Sequence, residues 1–265
     1  GLSTSFTGED SLDIAIDNGS GTSSVLGSTM GFDTGTSLVV DGVTYSFPVG
    51  GATMVVGDST DLSVAFTGAC AYSSFTDATP DDCGTGNSMG AGGKGVTAAL
   101  GYAFDSGFSL AGGVTSGTTE ILGDNADAFG VNAAYSADSY GVAVAYVSDD
   151  MGSDTDSTTY WGVNGYYTFD LASLSVGFET SDDGTTEKSG YFVGLSFPEV
   201  GPGTANIAAA TTGLFADSET ETLVYEASYS YAINDGMTVT PGIFIKEVDG
   251  ADDQTGVAVK TSFSF

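Results

Sequence analysis

The chain contains no arginine and no histidine, and only four lysines stand among its 265 residues. Against them are 35 aspartates and glutamates, for a formal net charge of −31. Such a surface has almost nothing to neutralise phosphates, which excludes nucleic acid as a partner. Without histidine there is no Ser-His-Asp site, and no other constellation points to catalysis, so the chain reads as non-enzymatic. Cys70 and Cys83 likewise find no further Cys or His to complete a zinc site. No apolar run approaches the roughly 18 residues of a membrane-spanning helix. Acidity of this degree suits a surface bathed in salt or divalent cations, where repulsion is screened.

What the chain does have is alternation. Forty glycines argue for disorder, but 41% of residues are hydrophobic and 11% aromatic, too apolar for a disordered segment. "FGVNAAYS" places Phe129, Val131, Ala133 and Tyr135 on one face and Gly130, Asn132, Ala134 and Ser136 on the other. "YGVAVAYV", "YWGVNGYYTF" and "TLVYEASYSYAI" repeat the pattern. About 15 such segments can be traced and no 3.6-residue pattern competes, so the fold class is all-β.

The connections alternate as well. "TGED", "PVGGA", "FDSG", "SADS", "FDLA", "PEVGPG" and "INDG" are tight turns. Between them lie longer stretches at 18–36, 59–94, 117–127, 149–157, 180–188, 213–221 and 247–254, which hold 22 of the 35 acidic residues. An antiparallel meander built this way has all its tight turns at one end. That is the design of an outer-membrane β-barrel, with a localisation in the cell outer membrane. One strand face is aliphatic and aromatic; the other is Gly, Ala, Ser, Thr and Asn, as expected for the wall of a water-filled lumen. Rings near strand ends are candidate membrane girdles: Tyr102, Phe104, Tyr140, Tyr146, Trp161, Tyr167, Phe169, Phe263 and Phe265. The last strand, "GVAVKTSFSF", is expected to close the barrel against an early one. Fifteen strands in this chain and an even number in bacterial barrels predict about 16 in the native protein, with one strand upstream of Gly1.

"LSTSFTGEDSLDIAIDNGS", "VDGVTYSFPVGGATMVVG" and "YEASYSYAINDGMTVTPGIFI" resemble the barrel of cyanobacterial outer-membrane porins. That family joins a surface-layer-homology domain to a carbohydrate-selective porin barrel. The resemblance implies a homotrimer, and contact with peptidoglycan only through an N-terminal domain not in this chain, so 1–265 would be barrel alone. The strand after "SFTG" usually carries basic residues in such porins; here Asp13 and Asp17 stand there, and no solute preference carries over. In trimeric porins the third external loop narrows the pore, which makes 59–94 the candidate constriction loop, with Asp77, Asp81 and Asp82 at the mouth or constriction; the alternative is a disulfide-tied external loop that never enters the lumen.

A disulfide between Cys70 and Cys83 is the leading reading of that loop, with two free thiols as the alternative; the bond would imply an oxidising compartment. By alternation the lumen-facing charges are Asp13, Asp17, Glu179, Glu226, Lys246 and Lys260, a slight acid excess. These features predict a cation-preferring passive diffusion pore. The alternative is a structural or adhesive surface barrel with little conductance. No cofactor is expected beyond Ca²⁺ or Mg²⁺ held loosely by acidic loops such as 149–156 and 247–254. The expected surroundings are outer-membrane lipid and lipopolysaccharide.

Overall fold

The computed structural model describes residues 1–19, 29–31, 35–90, 93–118, 127–150 and 157–264. Period-two segments become one antiparallel sheet of fifteen strands in which spatial order equals chain order. The first four are β1 (Leu2–Thr4), β2 (Ser11–Asp17), β3 (Val39–Val49) and β4 (Ala52–Thr60). Then come β5 (Gly95–Ala103), β6 (Phe108–Ser116), β7 (Asp127–Ser136), β8 (Tyr140–Asp149) and β9 (Thr158–Thr168). The rest are β10 (Ser173–Asp182), β11 (Glu187–Val200), β12 (Gly203–Thr211), β13 (Leu223–Asn234), β14 (Met237–Lys246) and β15 (Gln254–Phe263). This is an all-β barrel of the outer-membrane type.

Connections at 50–51, 104–107, 137–139, 169–172, 201–202 and 235–236 lie at one end of the sheet; the longest, 61–94, lies at the other. One stretch read as a long loop, 180–188, is mostly strand. β10 runs to Asp182 and β11 starts at Glu187, leaving a turn at 183–186. Two aspartates make so sharp a reversal possible. Asp182 accepts the N–H of Gly184, and Asp183 accepts those of Thr185 and Thr186. These donors hold the Asp183 carboxyl below its usual range.

The expected seam is also different. β15 pairs with β14 and β1 with β2, and no pairing joins β15 to β1 among the described residues. Parity explains it. In a meander of fifteen antiparallel strands the first and last run the same way, so antiparallel pairing cannot join them.

Register separates the two faces. Val131 pairs with Tyr146, which pairs with Trp161; this row carries the exposed Val131 and Trp161 on either side of the half-buried Tyr146. Asn132 pairs with Ala145, which pairs with Gly162 and then Glu179; this row is buried. On the exposed face, rings recur six positions apart: Phe129 and Tyr135, Tyr140 and Tyr146, Trp161 and Tyr167, Tyr191 and Phe197, Tyr225 and Tyr231. At about 3.3 Å per residue that separates two aromatic levels by about 20 Å along each strand.

Candidate functional site

What buries the other face is the long connection between β4 and β5. Its residues 62–90 lie across the concave wall. Leu62 and Phe66 pack with Ala99, Ala128, Ala145 and Val147. The segment then steps over successive strands, with alternate N–H groups donating to wall side chains. Thr67 donates to Asn132 Oδ1 (2.8 Å), Ala69 to Asn164 Oδ1 (2.7 Å) and Ala71 to Ser175 Oγ (3.0 Å). Short polar side chains on β7, β9 and β10 thus do for the loop what a neighbouring strand would do.

The far end of the loop is tied to β13. Glu226, 4% exposed, accepts five hydrogen bonds. They come from Tyr72 Oη, the N–H groups of Phe75 and Thr76, and the hydroxyls of Thr76 and Thr79, at 2.7–3.0 Å. The carboxylate and burial together push the Tyr72 phenol well above its usual range, burial being the larger cause. The chain returns through two short helical turns, Asp81–Gly84 and Gly86–Gly90. There Glu179, 1% exposed, accepts from Ser88 N–H and Asn87 Nδ2. A disulfide joins Cys70 to Cys83, with 5.7 Å between their Cα atoms.

Glycines in the wall make room for this segment. A Cβ on Gly113 would come within 2.7 Å of Leu62, and one on Gly177 would strike the carbonyl oxygen of Cys83. The small face read as lumen wall is therefore in large part the bed of a loop. A second piece of chain joins it. In Thr29–Gly31, between β2 and β3, Met30 packs with Phe75 and Phe244, and Thr29 O accepts the N–H of Asp77 at 2.8 Å.

A cavity of about 700 Å³ opens between the loop and the wall. Asp61, Asp77 and Asp81 line it from the loop; Asp149, Tyr160 and Lys246 line it from the strands. Burial, followed by the charges of Asp77 and Asp61, lifts the Asp81 carboxyl above its usual range. Burial, then Asp81 and Asp61, does the same to Asp82.

No protein-family model matches the chain, and no curated protein matches it in sequence. Solved structures do match. Pseudomonas putida OprB superposes with a TM-score of 0.72 over 97% of this chain and 83% of its own, at 12% identity. An anion-selective porin from Comamonas acidovorans gives 0.68 over 99% and 87%, at 14% identity. A porin refined at 1.8 Å resolution gives 0.61 over 84% and 81%, at 15% identity. The fold is that of a porin barrel.

Within this porin barrel the sequence candidates fall into distinct environments. Glu179 and Glu226 stand on the concave wall but lie beneath the loop, where they hold it. Asp13 pairs with Ser3 and Thr44 and accepts from Ser11 Oγ. Asp17 lies beyond a register shift at Ala15–Ile16, opposite Val39. Lys246 lines the cavity, and Lys260 sits 5.6 Å from the ring centroid of Phe75. The two other lysines are ion-paired, Lys94 with Asp41 at 2.6 Å and Lys188 with Glu219 at 3.5 Å.

Of the three loop aspartates, Asp77 and Asp81 face the cavity. Asp82 instead gives its carbonyl oxygen to Asn164 Nδ2. Tyr102, Phe104, Tyr140, Trp161, Tyr167, Phe169 and Phe263 are exposed, Tyr146 is half-buried, and Phe265 lies outside the described residues.

Sequence reasoning missed Asp61 and the anchors Asn132, Asn164 and Ser175. Two amides on an otherwise Gly/Ala/Ser face were the available signal. Among the described residues no group of three or more acidic or cysteine side chains is placed to share a metal ion, and of the acidic stretch 149–156, residues 151–156 lie outside them.

Proposed function

We propose that the protein is a passive diffusion channel of the outer membrane, admitting ions and small hydrophilic solutes with a preference for cations. One observation supports it most. Segment 62–90 crosses the concave wall of a porin-type barrel and turns Asp77 and Asp81 towards a cavity whose described lining includes one cation, Lys246. Asp61 and Asp149 add to the surplus of carboxylates. The Comamonas acidovorans porin is anion-selective by name; the charge surplus here favours the opposite sign. The loop acts as the constriction, and the two levels of exposed rings meet the bilayer interfaces.

A further strand, antiparallel to both β1 and β15, is the smallest element that closes the ring. Resemblance to the cyanobacterial porins favours a homotrimer, with peptidoglycan met through that family's N-terminal domain. The acidic rim favours loosely held Ca²⁺ or Mg²⁺ and, through such ions, lipopolysaccharide.

The deciding experiment is the reversal potential of the reconstituted protein in a planar bilayer under a KCl gradient. A steady conductance with a cation-selective potential is expected. An anion-selective potential would overturn the sign. A second reading, a structural barrel with little conductance, draws on the breadth of the loop's seat, since Leu62, Phe66, Tyr72 and Phe75 pack on the wall from β5 to β14. Silence from membrane-inserted protein would select it.

A further inference from the structure

A trough of about 490 Å³ interrupts the aromatic level of Trp161, near the start of β9, on the outward face of β9–β11. Register fixes its shape. Trp161 pairs with Thr180, which pairs with Ser189, and Ser189 is bridged to Phe215 of the β12–β13 loop by two backbone hydrogen bonds of 2.9 Å. Two rings therefore flank a floor of two small hydroxyl side chains. Trp161 is 56% exposed and is backed on the β8 side by Tyr146, 4.7 Å between centroids. Phe178 lies two residues nearer the membrane centre on the same face, and the Asp182–Glu187 pair lies two residues further out. The trough thus grades from ring to hydroxyl to carboxylate along the axis on which a bilayer grades from acyl chain to headgroup.

We propose that this trough seats the uncharged sugar headgroup of a glycolipid in the outer leaflet. The flanking rings offer apolar faces to the C–H side of a sugar ring, and the hydroxyls and carboxylates accept from its O–H groups. Charge selects against an anionic headgroup. The rim carries Asp182, Glu187 and Asp217, and its lysine, Lys188, is already paired with Glu219. Below the seat, Phe178 and Tyr191 continue the exposed face on which the acyl chains would lie.

The inference rests on the membrane placement proposed above and not on conductance. Trp161 is the only tryptophan, so its emission reports the seat directly. The full chain is inserted into phosphatidylcholine nanodiscs doped with a monoglucosyl diacylglycerol brominated near the headgroup. Quenching is expected to saturate at a mole fraction about tenfold below that needed with brominated phosphatidylcholine. Glu187→Gln and Phe215→Ala should each raise that fraction about fivefold, the scale of one lost contact, while leaving quenching by phosphatidylcholine unchanged.

Equal quenching by both lipids, or stronger quenching by brominated phosphatidylglycerol with Ca²⁺, overturns the seat alone. Failure of the folded protein to insert overturns the membrane placement and the seat with it.

Discussion

Two sets of carboxylates share the concave side of this barrel and are used in opposite ways. Glu179 and Glu226 stand on strands, buried, with their oxygens taken up by N–H and O–H donors of the loop. Asp61, Asp77 and Asp81 stand on the loop and face a common cavity, with Lys246 across from them. The first set fixes where the loop lies; the second sets the field that the loop presents. In a chain with four lysines, buried acids cannot rely on ion pairs, and backbone and hydroxyl donors replace them. The comparison yields a rule: donors reaching a buried carboxylate from a distant segment, and not its place on the lumen face, mark it as part of the scaffold; the two donors of Asp61 come from Ser63, two residues along its own segment.

The largest effect should come from the scaffold set. Glu226→Ala leaves five donors without their acceptor, and each buried orphan costs about 1–3 kcal/mol. The loop should leave its bed while the sheet survives, giving a larger and noisier single-channel conductance and rapid proteolysis between 62 and 90. Glu226→Gln keeps one acceptor oxygen and should fall between. Wild-type conductance and protection in the alanine variant would remove the distinction between the two sets.

Removing the Cys70–Cys83 bond comes next. The bond closes a short loop, and chain-entropy arguments give about 3 kcal/mol for a loop of about 15 residues. The double serine variant should keep the same mean conductance, because the anchors to Asn132, Asn164 and Glu226 remain, but show more frequent closures and a lower thermal midpoint. Smaller again is Gly177→Ala, whose methyl meets the Cys83 carbonyl and should cost about 1–3 kcal/mol by overpacking. Gly35→Ala, with nothing within 4 Å of the new methyl, is the control and should change neither stability nor conductance.

Much of this fold is legible in the sequence because the signal is local. A side chain's face follows from period two, and the ends of strands from turn residues, so the fifteen strands and the two aromatic levels can be read one segment at a time. The length of 59–94 and its two cysteines single that segment out. What stays hidden is relational. Nothing local distinguishes Glu226, which gathers five donors from a segment some 150 positions earlier, from a solvated lumen acid. Nothing in Gly177 says that the space above it is taken by Cys83 and not by water. Met30 looks like one apolar residue in a polar loop until Phe75 and Phe244 are beside it. The 183–186 turn is hidden for a different reason: acidic residues count as loop formers, yet here Asp182 and Asp183 tighten a hairpin.

The smallest effect belongs to the pore set. Across a water-filled gap of about 8 Å, one charge changes the energy of a passing ion by about 0.5 kcal/mol. Asp77→Asn should therefore lower cation permeability about twofold and raise anion permeability about twofold, a fall of about fivefold in their ratio, while leaving stability and loop protection nearly unchanged. Titration gives the same comparison without mutation. Asp81 and Asp82 are held above the ordinary aspartate value of 3.8 by burial and by neighbouring acids, so the folded protein binds their protons more tightly than the unfolded chain does. Their contribution to loop stability is fully present below pH 3.8 and is lost as pH rises through their raised values. Over the same window the cavity gains negative charge. Cation preference should rise, and protection of the loop fall, across one pH interval lying above 3.8. Asp81→Asn should flatten both curves together. If it flattens selectivity but leaves the protection curve intact, Asp81 belongs to the field alone, and the boundary between scaffold and pore acids runs sharply between strand and loop.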